Sequence, residues 1–121
     1  MKVKVPISVG ELIDKTTILT IKMQWVEDKD KLKAISKELK ELTKLTSKLD
    51  MGDELVHDLY YINSDIWHIE SDIRQKEKNL EFDDEFIELA RMVYIKNDIR
   101  AKIKNDINKK YDSYIVEQKS Y

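Results

Sequence analysis

Side chains that could hold an anion recur through the segment LARMVYIKNDIRAKIKNDIN. Arg91, Tyr94, Asn97, Arg100 and Lys104 follow one another at spacings of three or four residues, so on a helix they lie on neighbouring faces. A guanidinium can fork onto a planar or phosphorylated anion, and an aromatic face can stack on a ring. The segment therefore predicts a site for a small anionic, nucleotide-like ligand.

An earlier helical segment adds Trp67 and Arg74, which lie seven residues apart and therefore on one helix face. If the two segments pair antiparallel, Asn97 lies level with Trp67. Trp67 and Tyr94 would then stack on a ring of the ligand, while Asn97 contacts a polar edge of the ligand. The alternative is a buried network in which the arginines pair with carboxylates of residues 70–77.

The opening segment ISVGELIDKTTILTIKMQW, residues 7–25, is strongly apolar but contains charged residues among its first turns. Asp14 lies in heptad register with Ile18 and Ile21, so it should face a core. A buried carboxylate without a cation is costly. We therefore predict that Asp14 and Lys15 join the site of the later arginines.

Ser8 and Glu11 have a second interpretation, because a serine followed three residues later by glutamate matches a capping box. Lys15 lies four residues after Glu11, which also suits a simple intrahelical ion pair. For Asp14 we predict pairing with an arginine such as Arg91, contributed by a second copy of the chain. Lys15 of the copy that contributes Asp14 would face the ligand.

Standard catalytic signatures are missing from the sequence, including the phosphate-binding glycine loop, the nucleophile elbow and the HExxH motif. Two acidic pairs, Glu11 with Asp14 and Glu85 with Glu88, have the spacing of a magnesium site, but lysines or arginines lie among them. The two histidines lie eleven residues apart, a spacing that does not indicate zinc, and we expect them at the surface. We assign no catalytic residue, metal site or cofactor.

Composition favours one helical domain spanning residues 1–121. Charged residues make up 38% and hydrophobic residues 41%, with only two glycines and one proline, which is typical of long amphipathic helices. A net charge of −2 gives no general reason to bind a nucleic acid polymer or a membrane. The start of the chain lacks the apolar run of a signal peptide, so we expect a cytoplasmic protein.

Apolar residues spaced by three and four predict three long antiparallel helices, at about 9–49, 53–80 and 85–110. Gly52 would cap the first helix and Asp53 would begin the second. These helices should account for at least 70% of the chain. The segment KVKVP alternates apolar and polar residues, and YDSYIVEQKSY has a strand-like composition, so the two could pair as a short β-ribbon.

The predicted first helix is longer than its neighbour. A continuous helix over residues 9–49 spans about 60 Å, whereas the second spans about 40 Å. Residues 9–24, the most apolar of the chain, would then have no cover, so we expect a homo-oligomer held by residues 9–26. The alternative is a break in the charged run at residues 27–31, which would give a four-helix bundle.

The segments PISVGELIDKTTIL, IWHIESDIR, FIELARMVYIKNDIRAKIKNDIN and EQKSY resemble a family of short, functionally uncharacterised proteins from bacteria and tailed phages. The resemblance covers nearly the whole chain and implies a bacterial or phage-infected cell as its location. A weaker likeness, to the all-helical chorismate mutases, rests on the overlong first helix, but that helix has no arginine here. A likeness to helical nucleotide pyrophosphohydrolases rests only on the acidic pairs.

We interpret the chain as a homo-oligomeric helical protein that binds a small anionic, nucleotide-like ligand in pockets between subunits. A phage protein of this kind could sequester a nucleotide signal of its host. Two alternatives stay open: a metal-dependent nucleotide hydrolase or mutase-like isomerase, and a coiled-coil interaction module without a ligand. The expected ligand-binding residues are Asp14, Lys15, Trp67, Arg74, Arg91, Tyr94, Asn97, Arg100 and Lys104.

Overall fold

Four α-helices form the fold in the computed structural model, which describes residues 1–120. They are α1 (Val9–Trp25), α2 (Lys29–Thr46), α3 (Glu54–Lys78) and α4 (Asp84–Lys110). Helices account for 72% of the chain, which confirms the all-helical prediction. Among residues 1–120, none of the helices is long and apolar enough to cross a membrane.

The predicted first helix is two helices, so the expected continuity over residues 9–49 is wrong. Helix α1 ends at Trp25, and Val26 takes an extended conformation. Asp28 then begins α2, because its side chain accepts a hydrogen bond from the Lys31 N–H at 3.0 Å. An aspartate that satisfies a backbone N–H in this way can restart a helix within a run that has no glycine or proline.

Because of this break, α2 folds back along α1, which is the only helix it contacts. Ile13, Leu19 and Ile21 of α1 are buried within the chain. These residues therefore need no second copy to cover them, so the argument for an oligomer interface at residues 9–26 does not hold, and the homo-oligomer itself stays a prediction.

The core lies where α1 crosses the α3–α4 hairpin, next to the open end of that hairpin. It consists of Ile13, Val56, Leu59, Ile62 and Ile107. Burying each such side chain stabilises the fold by roughly 1.5–3 kcal/mol. Further along the hairpin no residue from 64 to 106 is buried. The uncovered overhang thus belongs to α3 and α4 rather than to the first helix.

The ends of the chain meet, but as irregular segments, since residues 1–120 contain no strand. The predicted β-ribbon is wrong. Side chains join the two ends instead: the Val9 N–H donates to the Ser113 hydroxyl at 3.0 Å, and the Ser8 hydroxyl donates to Glu117 at 2.5 Å. The tail therefore satisfies the first N–H of α1, which has no partner within the helix.

The connection between α2 and α3 differs in part from the prediction. Helix α2 already ends at Thr46, and Gly52 has no positive φ, so Gly52 is not its left-handed cap. Asp53 begins α3 as expected, because its carboxylate accepts the Leu55 N–H at 2.8 Å. Between α3 and α4, Lys96 and Asp65 approach to 3.6 Å, which matches the predicted antiparallel pairing within about one turn.

Candidate functional site

A buried ion pair between α1 and α4 is the centre of the candidate site. Asp14 is 1% exposed, and Arg100 approaches it with two nitrogens. Arg100 Nε donates to Oδ1 at 2.9 Å and Nη2 donates to Oδ2 at 2.5 Å, a fork onto both carboxylate oxygens. This hydrogen bonding raises the pKa of the Arg100 guanidinium, so the arginine stays charged.

Helix α3 contributes a third side chain to the same carboxylate. Asn63 is buried, and its Nδ2 lies 2.9 Å from Asp14 Oδ1 and 2.9 Å from the Thr17 hydroxyl oxygen. The Thr17 hydroxyl in turn donates to the Asp14 carbonyl at 2.8 Å. Asp14 is thus held from α3 and α4 together, as a buried charge requires.

A glycine sets how closely α1 approaches α4. The Gly10 N–H donates to Asn108 Oδ1 at 2.6 Å. A Cβ at this position would lie 2.5 Å from the carbonyl oxygen of Lys104, closer than side chains allow. The antiparallel approach that Gly10 permits places Asp14, one turn further along α1, opposite Arg100.

Glu11 forms a second ion pair beside the first. Its Oε2 lies 2.6 Å from Lys104 Nζ, and its Oε1 lies 3.9 Å from Lys15 Nζ. The Ser8 hydroxyl accepts the Glu11 N–H at 3.0 Å, so this half of the predicted capping box forms. The Glu11 carboxylate, however, reaches across to α4 for its partner.

Two open grooves flank Arg100. The first, which we call the Tyr94 groove, runs along α4 with a volume of about 700 Å³. Arg100 Nη1 donates to Asn97 Oδ1 at 3.3 Å there. Three cations line this groove, and each is paired with a carboxylate: Arg100 with Asp14, Lys104 with Glu11 and Lys119 with Asp98. Its lining residues are Val93, Tyr94, Asn97, Asp98, Arg100, Ala101, Lys104 and Lys119.

The second groove, which we call the Trp67 groove, lies between α1 and α3 and has a volume of about 450 Å³. Its floor is apolar, and its edge carries two guanidinium groups and the carboxylate of Glu70. Ile18, Ile21, Ile66, Trp67, Arg74 and Arg100 are the lining residues that define it. Arg100 belongs to both grooves, whereas Trp67 and Tyr94 lie in different ones. Within one chain the two rings therefore do not share a groove, and the expected stacking of one ligand on both stays a prediction.

The remaining predicted site residues fall into two groups. Asp14 and Lys104 join Arg100, and Asn97 and Tyr94 lie along the same groove. Outside this cluster, Lys15 is half exposed beside Glu11, and Arg74 pairs with Glu70 at 3.6 Å on its own helix.

Arg91 does not take part in the site. It pairs with Glu88 at 3.7 Å on its own helix and lines neither groove. The pairing of Asp14 with Arg91 of a second copy is wrong, because the break before α2 lets Asp14 reach Arg100 of its own chain.

This chain belongs to the DUF6165 family. The family model, described as a family of unknown function, matches residues 1–121 and so covers the helices and both grooves. No curated protein and no solved structure matches the chain.

Sequence reasoning missed several residues that hold the site. Asn63 lies four residues after Leu59 and three before Ile66, so its register pointed to the core. Gly10 inside a first helical turn is a second signal, since glycine is unfavourable there unless a close contact needs it. The contacts of Glu117 depend on the path of the tail and had no local signal.

The acidic pairs that suggested a magnesium site are already engaged. Glu11 and Asp14 hold Lys104 and Arg100, while Glu85 and Glu88 pair with Lys76 and Arg91 on the distant turn. Within residues 1–120 no group of three or more histidine, cysteine or acidic residues is arranged to hold a metal ion. Both histidines are exposed, as expected.

Proposed function

We propose that this chain is a homo-oligomeric helical protein that binds a small anionic, nucleotide-like ligand in the Tyr94 groove. The observation that carries the proposal is Arg100. A buried carboxylate holds one edge of its guanidinium, while the side chain still lines an open groove. An arginine fixed in this way needs little reordering when it meets an anion, which reduces the entropic cost of binding.

The groove has the other features that such a ligand needs. Lys104 and Lys119 lie along the groove wall, paired with Glu11 at 2.6 Å and with Asp98 at 2.8 Å. An anion in the groove would share these two cations with the carboxylates. Tyr94 is 57% exposed and offers an aromatic face on which a base could stack. Asn97 has an amide group that can donate hydrogen bonds to, and accept them from, the polar edge of such a base.

The proposal is tested by titrating the protein with AMP, adenosine and inorganic phosphate in a calorimeter. AMP should bind more tightly than either fragment, because the charged wall and the ring contact act together. Tyr94→Ala should weaken AMP binding about tenfold, in line with a stacking contribution of about 1–3 kcal/mol.

Tyr61→Ala is the matched control, since Tyr61 is an exposed tyrosine on α3 that lines neither groove. It should leave AMP binding unchanged. Native mass spectrometry of the protein from its own host should show a co-purifying anion of nucleotide mass. Equal losses for both tyrosine variants, or no binding of any of the three probes, would contradict the proposal.

A further inference from the structure

The free end of the α3–α4 hairpin leaves its apolar seam open to solvent. Ile69, Ile73, Phe86 and Leu89 lie along this seam, and each remains partly exposed. Two helices alone cannot enclose the residues between them, whereas three or four can. The hairpin therefore presents an apolar face that a further layer would bury.

The turn of the hairpin adds a strained and exposed apolar tip. Helix α3 ends in a Schellman motif, in which the Glu81 N–H bonds to the Lys76 carbonyl at 2.9 Å. Leu80 occupies the left-handed position with φ 55°, where glycine is usual, and is 75% exposed. Phe82 follows at 56% exposure. A leucine in this left-handed position, where glycine would cost less, indicates a contact that uses the leucine side chain.

Carboxylates surround this apolar tip. Residues 76–85 hold five acidic residues and two lysines, a net charge of −3. Lys76 lies among them and contacts Glu81, Asp83 and Glu85 at 2.9–3.4 Å. The tip is thus apolar at its end and negative around it, so a complementary surface would be an apolar groove with a positive edge.

The Trp67 groove has an apolar floor, formed by isoleucines and Trp67. At its edge, the two positive charges of Arg74, whose side chain is 80% exposed, and Arg100 stand against the one negative charge of Glu70, which pairs with Arg74 at 3.6 Å. Opposite charges at the edge would fix the register of a docked tip, and the apolar floor would supply the buried area. The tip and the groove that fits it lie on the same chain.

Spacing along α3 allows two copies to exchange these contacts. Trp67 and Leu80 are thirteen residues apart, about 20 Å on a helix, so the tip cannot fold back into its own groove. Two hairpins placed antiparallel about a two-fold axis near Arg74 would set each tip opposite the groove of the other copy. Such a contact is self-complementary and closes as a dimer instead of growing into a fibre.

We infer that the α3–α4 hairpins of two copies dock antiparallel, with Leu80 and Phe82 of each copy seated in the Trp67 groove of the other. This inference rests on the homo-oligomeric part of the proposed function and is independent of its ligand, which occupies the Tyr94 groove. The dimer would also cover the open seam of both hairpins.

Sedimentation equilibrium at micromolar concentration tests the assembly. The wild-type chain should be a dimer, and Phe82→Asp should shift it to monomer with at least a tenfold weaker association. Leu45→Asp is the matched control, because Leu45 is 52% exposed on α2, away from the hairpin, and should leave the dimer intact. A wild-type monomer, or equal effects of the two variants, would overturn the inference.

Cross-linking tests the register separately. The chain has no cysteine, so Trp67→Cys combined with Phe82→Cys creates the only thiols. Oxidation should yield a disulfide-linked dimer on a non-reducing gel, whereas Trp67→Cys with Leu45→Cys should not. A cross-link in the second pair alone would overturn the antiparallel arrangement. AMP titration of the Phe82→Asp variant then tests the Tyr94 groove by itself, so the two proposals fail independently.

Discussion

Gly10 and Lys104 lie so close that the Cα of Gly10 has no room for a side chain. A Cβ there would meet the Lys104 carbonyl oxygen at 2.5 Å and the Asn108 side-chain oxygen at 2.9 Å. The first of these neighbours is backbone and cannot turn aside. The spacing between α1 and α4 therefore depends on this glycine, and the ion pair of Asp14 with Arg100 depends on the spacing.

We expect Gly10→Ala to destabilise the fold by about 1–3 kcal/mol, the usual cost of forcing extra volume into a packed contact. Urea denaturation followed by circular dichroism measures the loss. Gly52→Ala is the control: a Cβ there lies 3.4 Å from Asp50 Oδ1, an ordinary contact, and its φ is not positive. It should be neutral or slightly stabilising. Equal losses at both glycines would contradict this account.

Removing Arg100 tests the buried ion pair. Arg100→Ala leaves Asp14 buried without its main cation, so we expect a loss of about 3–5 kcal/mol in the free energy of unfolding. Arg91→Ala should change it by less than about 0.5 kcal/mol, because Arg91 is an exposed arginine paired only with Glu88 on its own helix. The comparison separates a structural arginine from a surface one.

A double-mutant cycle checks the same pair directly. Replacing both Asp14 and Arg100 by leucine should recover much of the loss, since buried ion pairs can often be exchanged for apolar residues. The coupling should be clear for Asp14 with Arg100 and near zero for Asp14 with Arg91. Strong coupling to Arg91 would instead restore the contact between two copies that the sequence suggested.

Residue periodicity predicted the helices and the antiparallel pairing of α3 with α4, because a 3.5-residue seam is a strong signal. It could not decide whether the chain breaks before Asp28. Capping by aspartate contributes only about 1 kcal/mol. Whether the helix continues or breaks there depends instead on the apolar surface that α2 covers on α1. Preferring a continuous helix to the alternative break at residues 27–31 led to a partner for Asp14 in a second copy, although the type of partner, an arginine, is right.

Two substitutions at the hairpin turn separate the effect of backbone strain from the effect of losing the side chain. Leu80 has a left-handed conformation, which costs an L-residue other than glycine roughly 1–2 kcal/mol. Leu80→Gly and Leu80→Ala both remove the side chain, but only glycine relieves the strain. Leu80→Gly should therefore be more stable than Leu80→Ala by about 1 kcal/mol in thermal or urea unfolding. Equal stability would show that the turn adopts another conformation.

The attachment of the tail should weaken in acid. Burial tends to raise the pKa of Glu117, but hydrogen bonds from Ser8 and Asn108 and the charge of Lys104 outweigh it, so the pKa lies below the ordinary 4.5. A carboxyl group with a lowered pKa in the folded chain contributes stability that is fully present above pH 4.5. That stability is lost as the pH falls through the folded-state pKa.

Titration of the Glu117 carboxyl by NMR should therefore give a midpoint below 4.5, and the protection factors of the amides of residues 113–118 should fall as the group protonates. Ser8→Ala removes the hydroxyl that donates at 2.5 Å, so the Glu117 pKa should rise towards its ordinary value. Ser36→Ala, on α2, should leave it unchanged. A Glu117 midpoint at or above 4.5 in the wild-type chain would mean that burial dominates and that the tail does not depend on this charge.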